Sequence, residues 1–130
     1  MKIIRVVAGW IEEGGRLLLG LRPEGEEWGG YWEFPGGKQK EEESEEESIK
    51  RELEEELGIV VKPQRKILEF VLKEGNKKYK FSVLKCRIIQ GKPIPYYHEK
   101  IAWVEKEKVP SLHLASADRI IAEVLAHERT

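Results

Sequence analysis

The stretch from Gly37 to Ile59 constrains this chain more than any other. Ser44 stands three residues before Glu47, the spacing of a capping box. Glu45, Glu46 and Glu47 fill the first turn, where the helix dipole favours carboxylates. Ile49, Leu53 and Leu57 recur every four residues as one apolar stripe, and Gly58 supplies a C-terminal stop. The pattern predicts a helix over residues 45–57, entered from the loop Pro35-Gly36-Gly37.

The carboxylates on this helix are placed unevenly. At about 100° per residue, Glu56 lies about 40° from Glu52, while Leu53 and Leu57 lie about 100° and 140° around. Glu52 and Glu56 therefore flank the buried stripe, and Glu55 falls on the other side of Glu52. Carboxylates at i, i+3 and i+4 can converge on one point, where they repel unless a hard divalent cation such as Mg²⁺ turns the repulsion into coordination. A merely solvated Glu-rich helix, laced with Lys50 and Arg51, leaves the Gly-Gly loop and the stripe-edge placement unexplained.

Gly37, five residues, Glu43, seven residues, then Arg51-Glu52-Leu53-x-Glu55-Glu56-x-Gly58-Ile59 matches the Nudix box at all nine specified positions. The chain resembles the Nudix hydrolases, and Trp32-Glu33-Phe34-Pro35-Gly36-Gly37-Lys38 is similar to the MutT-like subgroup. The resemblance implies an α+β Nudix fold, an α/β/α sandwich with a mixed sheet, in one domain over residues 1–130. It implies hydrolysis of a nucleoside triphosphate to the monophosphate and pyrophosphate, with 8-oxo-dGTP the favoured substrate and dGTP or CTP-type triphosphates next. ADP-ribose, a dinucleoside polyphosphate, a sugar nucleotide or an RNA cap stay open, because the box reads the pyrophosphate and not what hangs from it. A nucleotide-binding module without turnover is the rival of another class.

The same resemblance implies that Glu52, Glu55, Glu56 and the Gly36 carbonyl hold Mg²⁺ or Mn²⁺, and that Arg51 orients the carboxylates. Glu52 is a candidate base as well as a ligand. In many relatives an outlying glutamate sits six residues before a tryptophan. Here Tyr97 holds that place before Trp103, so either Glu99 serves in its stead or water does. His98, beside it, reads as a loop or structural histidine.

Arg22 ends an apolar run just before Pro23, at the rim of a sheet. It is either an ordinary surface arginine or, by resemblance, part of the nucleotide pocket. Lys38 would face the phosphate chain. Asp118 either stabilises the start of a final helix over residues 117–127, capped by Ser116, or, by the same resemblance, hydrogen-bonds the nucleobase. Trp28, in the glycine-bearing loop 23–31, either closes over a base or covers the core edge. One departure stands out: MutT-like chains commonly carry Gly-Glu before the helix, and this one has Glu42-Glu43.

Elsewhere, residues 3–11 and 16–22 read as a hairpin about Glu12-Glu13-Gly14-Gly15. Ile59-Val60-Val61 reads as a short strand broken by Pro63. Residues 67–73 and 77–89 read as a second hairpin, and 101–104 as a last strand. Aromatic Tyr79 and Phe81 share one face with Val83, and one of them, or Phe70, is a candidate for the base pocket. The formal charge is −1, from 24 acidic and 23 basic residues, so no basic field points to a nucleic-acid polymer. The single Cys86 excludes an intrachain disulfide and lies in an apolar strand pattern, as a buried inert thiol would. With no signal-like or membrane-spanning run, the expected setting is cytoplasmic, as a monomer or homodimer, with no membrane partner.

Overall fold

A computed structural model of the chain describes residues 2–125. The elements run β1 (Ile3–Glu13), β2 (Arg16–Leu21), β3 (Trp32–Glu33), β4 (Gly36–Lys38), α1 (Glu45–Leu57), β5 (Val60–Glu74), β6 (Lys77–Gln90), β7 (Lys100–Glu105), a 3-10 segment (Lys106–Ser111) and α2 (Ser116–Leu125). Among the described residues no helix is long and apolar enough to cross a membrane.

β1 is the axis of the mixed sheet. It runs parallel to β6 from Ile3↔Lys78 to Ile11↔Cys86, and β5 lies antiparallel outside β6. On its other edge β1 pairs with β4 at Val6–Ala8 and with β2 only at Glu12 and Glu13. β2 in turn holds β7 along its length and β3 at its far end. Beyond their shared hairpin, β1 and β2 thus diverge, and the short strands β3 and β4 occupy the gap.

Alternation along β1 sends Val7 and Ile11 to one face and Ala8 and Trp10 to the other. Val7, Ile11, Leu18, Leu84 and Cys86 pack against Ile49, Leu53 and Leu57 of α1. Ala8, Trp10, Leu19, Phe34 and Val83 pack against Ile121, Ala122 and Leu125 of α2. The α/β/α sandwich expected from the sequence is the architecture found. The three stripe residues of α1 are fully buried, worth roughly 1.5–3 kcal/mol each. Both halves of the capping box are made: Glu47 N–H donates to Ser44 Oγ at 3.0 Å, and Ser44 N–H donates to Glu47 Oε1 at 2.9 Å. Gly58 closes the helix in the left-handed region at φ 67°.

Three expectations need correction. Pro63 does not break a strand: β5 is continuous from Val60 to Glu74, with register irregularities beside Pro63. β5 is an edge strand, where a missing N–H is tolerated on the unpaired side. The first hairpin turns more tightly, because Glu12 and Glu13 still pair with Leu17 and Arg16. Ser116 is not the cap of α2 but its first residue. Ala115 O accepts Arg119 N–H, and the Ser116 hydroxyl donates to Glu74 at the tip of the β5–β6 hairpin. Residues 126 and 127, the expected end of that helix, lie outside the described residues. Cys86 is buried as expected, and desolvation pushes its thiol up to about 12.

Candidate active site

Gly36 and Gly37 form a thin wall between two sets of functional side chains. On the α1 side stand the carboxylates. A Cβ on Gly37 would fall 2.5 Å from the Glu52 carboxyl carbon, so Glu52 packs directly on the bare glycine backbone. Glu56, one turn on, lies near enough to Gly36 for its backbone N–H to favour the ionised carboxylate.

Arg51 is the hub of this side. Its Nε and Nη2 clamp Glu43 at 2.6 and 2.9 Å, its Nη1 reaches Glu52 at 3.1 Å and Glu55 at 3.2 Å, and Nη2 also donates to Lys38 O at 3.1 Å. Only a planar five-donor fork can serve so many acceptors at once. The hydrogen bond from Arg51 holds the Glu43 carboxyl down at about 2, and Glu43 in turn raises the Arg51 guanidinium. Burial raises Glu52 against the opposing pull of Arg51. Glu56 goes further: burial, then repulsion from Glu33 and Glu52, lifts it to about 9, and its Oε1 is buried without a hydrogen-bond partner.

On the other side of the wall lies a cavity of about 230 Å³. Its floor is Val6–Ala8 of β1 with Tyr79 and Phe81 of β6, and its polar rim includes Arg22, Glu33, Lys38, Lys77 and Asp118. Trp28, held at φ 61°, covers one end, edge-on to Tyr31. Phe70 stacks on Phe81 at 5.2 Å but does not reach the cavity.

Arg22 donates from Nη1 to Glu33 at 2.9 Å and from Nε to Glu27 O at 2.7 Å. Burial alone would depress its guanidinium, but the ion pair with Glu33 outweighs this and keeps it raised. Asp118 accepts the Phe34 N–H at 2.8 Å, which ties α2 to the segment before the glycines. Its burial, followed by the charge of Glu33, raises its carboxyl well above the usual range.

The structure therefore gathers Gly36, Arg51, Glu52, Glu55 and Glu56 on one side of the wall and Arg22, Lys38 and Asp118 on the other. Glu99 stands apart. It is exposed, its N–H donates to Leu21 O, and its carboxylate makes no ion pair or hydrogen bond among the described residues. Among those residues, no three His, Cys, Asp or Glu side chains lie close enough, as placed, to grip a metal ion. The donor set still fits one: hard oxygen ligands, and a buried Glu56 oxygen whose hydrogen-bonding capacity is unused.

Sequence reasoning passed over Glu33, Glu74 and Lys77. The alternation Trp32-Glu33-Phe34 was the available signal for Glu33, placing one carboxylate opposite two aromatic rings. Glu74 and Lys77 flank a turn, and only the fold brings that turn to the cavity.

The NUDIX domain model matches residues 6–124. The chain is 32% identical over 118 residues to the CTP pyrophosphohydrolase of Escherichia coli strain K12, covering 91% of this chain and 87% of that one. It is 33% identical over 128 residues to the 8-oxo-dGTP diphosphatase of Haemophilus influenzae, covering 98% and 94%. The crystal structure of a MutT NUDIX hydrolase from Burkholderia pseudomallei superposes with a TM-score of 0.85 at 27% identity, covering 96% of this chain and 99% of that one. A box helix set against a Gly-Gly wall, a sandwich of this topology and a family match across nearly the whole chain converge, and the chain belongs to the Nudix superfamily of MutT-type hydrolases.

Proposed function

We propose that this chain hydrolyses a nucleoside triphosphate to the nucleoside monophosphate and pyrophosphate, the activity typical of its family. The observation that carries the reading is the shared wall. A base in the cavity and a phosphate chain running over Gly36, Gly37 and Lys38 would deliver the scissile anhydride to Glu52, Glu55 and Glu56. The cavity volume lies below the roughly 300 Å³ at which typical ligand pockets begin, which suits one heterocycle rather than a dinucleotide.

Nudix folds generally imply a divalent metal, and Glu52, Glu55, Glu56 and the Gly36 carbonyl are the proposed ligands for Mg²⁺ or Mn²⁺, with Glu99 joining from its loop. When bound, such an ion neutralises phosphate charge and lowers the pKa of an attacking water. The chain supplies the rest. Arg51 holds Glu52 and Glu55 in register, Glu52 accepts the water proton, Lys38 and Arg22 steady the triphosphate, and Asp118 meets the base edge.

The favoured base is 8-oxoguanine, in line with the Haemophilus relative. Cytosine is the second reading. It is favoured by the Escherichia coli relative and by Asp118, since a carboxylate is a fitting acceptor for the cytosine amino group.

Pyrophosphate release from 8-oxo-dGTP, dGTP, CTP and dCTP, with Mg²⁺ or Mn²⁺ and with Glu55→Gln beside the wild type, tests this directly. Selective turnover, abolished by EDTA and crippled in the variant, is expected. Tight binding of a triphosphate without any release would replace the enzyme with a binding module. Turnover confined to ADP-ribose would move the substrate class.

A further inference from the structure

We infer that His98 is a positioning residue: it fixes the Glu33 carboxylate, and through it the Arg22 guanidinium, on the cavity wall that receives the nucleoside. The inference rests on the nucleotide-hydrolase reading for its substrate, but its geometry does not.

Gly20 of β2 lies between Glu33 of β3 and Ile101 of β7. A Cβ at position 20 would stand within 2.5 Å of ring Cγ and Nε2 of His98. The imidazole therefore lies over the bare Gly20 backbone and reaches the neighbouring strand, where Nε2 meets Glu33 Oε2 at 2.8 Å. The other oxygen, Oε1, takes Arg22 Nη1 at 2.9 Å. Arg22 is also tied through Nε to Glu27 O, so the guanidinium is held at two points once Glu33 is still.

Glu33 has one partner on each carboxylate oxygen, so without the imidazole it is held by Arg22 alone. The His98 side chain is completely buried, and its Nδ1 finds no hydrogen-bond partner among the described residues. A carboxylate partner only accepts, so the ring carries hydrogen on Nε2 and donates to Glu33. Core filling would be served better there by an apolar side chain, which would bury no unsatisfied nitrogen. What the ring supplies there is the donor it presents to Glu33.

The test compares wild type with His98→Leu, His98→Gln, Gly20→Ala, His98→Ala and the Gly20→Ala/His98→Ala double variant. For whichever triphosphate the wild type turns over best, His98→Leu is expected to raise KM on the order of tenfold, the loss of one hydrogen bond to a charged group, with kcat within about threefold. Gln places an amide donor near the same point and is expected to recover most of the loss. Gly20→Ala, which displaces the ring, is expected to raise KM as His98→Leu does, yet to add nothing in the His98→Ala background.

An unchanged KM in His98→Leu, or a Gln variant no better than Leu, would overturn the inference. A wild type that turns over none of the substrates would instead sink the function proposed above. The positioning claim is then read by NMR from the Arg22 Nη1–H resonance, the proton that meets Glu33. It is expected to be protected from exchange in the wild type and His98→Gln and lost in His98→Leu, and its persistence in His98→Leu would refute the role.

Discussion

Gly37→Ala separates catalysis from folding at a single methyl group. The Gly37 backbone lies outside the left-handed region, so alanine is admitted without backbone strain. The new Cβ would stand 2.5 Å from Cδ and Oε2 of Glu52 and 2.6 Å from Oε1, where ordinary contact begins at 3.4 Å. The carboxylate must therefore retreat by about 0.9 Å, against the 3.1 Å bond that holds it to Arg51. A misplacement of about 1 Å in a catalytic constellation costs on the order of a hundredfold in rate, or ~2.7 kcal/mol of barrier. Stability should scarcely move, because Gly→Ala at a permitted φ gains about 0.4–1 kcal/mol through the unfolded chain, offsetting part of the displaced contact. The assay is pyrophosphate release beside thermal unfolding. Turnover down about a hundredfold with a melting temperature within a few degrees of wild type is expected. Turnover within threefold of wild type would show that Glu52 does not act where it is placed here. Gly36→Ala is no substitute, since its Cβ would strike Val7 O and disturb the β1–β4 pairing itself.

Arg51→Gln removes the fork that holds Glu43, Glu52 and Glu55 together. Loss of such outer support typically costs 10–100-fold in metal affinity or activity, and a metal titration of turnover should show that range. Asp118→Asn should stabilise the fold at neutral pH. The folded Asp118 carboxyl titrates above its unfolded value near 3.9, so it favours folding fully only below that value, and its contribution is lost as pH rises towards the folded pKa. Denaturant unfolding should therefore find the variant ahead of wild type at pH 7 and the gap closing near pH 3, while triphosphate affinity falls. A gap that widens in acid would refute the argument.

What could be read from the sequence was local. The capping box at Ser44, the four-residue stripe and the stop at Gly58 are complete within one helix, and α1 forms with the expected bounds. The placement of Glu52 and Glu56 beside that stripe likewise followed from helix geometry. What escaped was decided by distant partners. Pro63 reads as a breaker, and only the position of β5 at the sheet edge makes it harmless. Ser116 has the chemistry of a cap, but its hydroxyl is captured by Glu74, 42 residues away in sequence. Glu33 and His98 are 65 residues apart, and nothing in either neighbourhood announces that they meet over Gly20.

The place of β1 bears on how the chain comes into being. Its parallel partner is β6, so the middle of the sheet joins a strand begun at Ile3 to one that begins only at Lys77. During synthesis the β1–β2 hairpin, the Gly-Gly turn and the whole of α1 emerge before the strand that completes their support. Loop closure over such a span precedes any return in pairing, which slows folding and leaves Val7, Ile11 and the α1 stripe waiting with apolar surface uncovered. A fragment ending at residue 76 is expected to show no cooperative unfolding by circular dichroism, and the full 130-residue chain to show it. The candidate site is thus written largely before β6 and becomes a site only once β6 is in place.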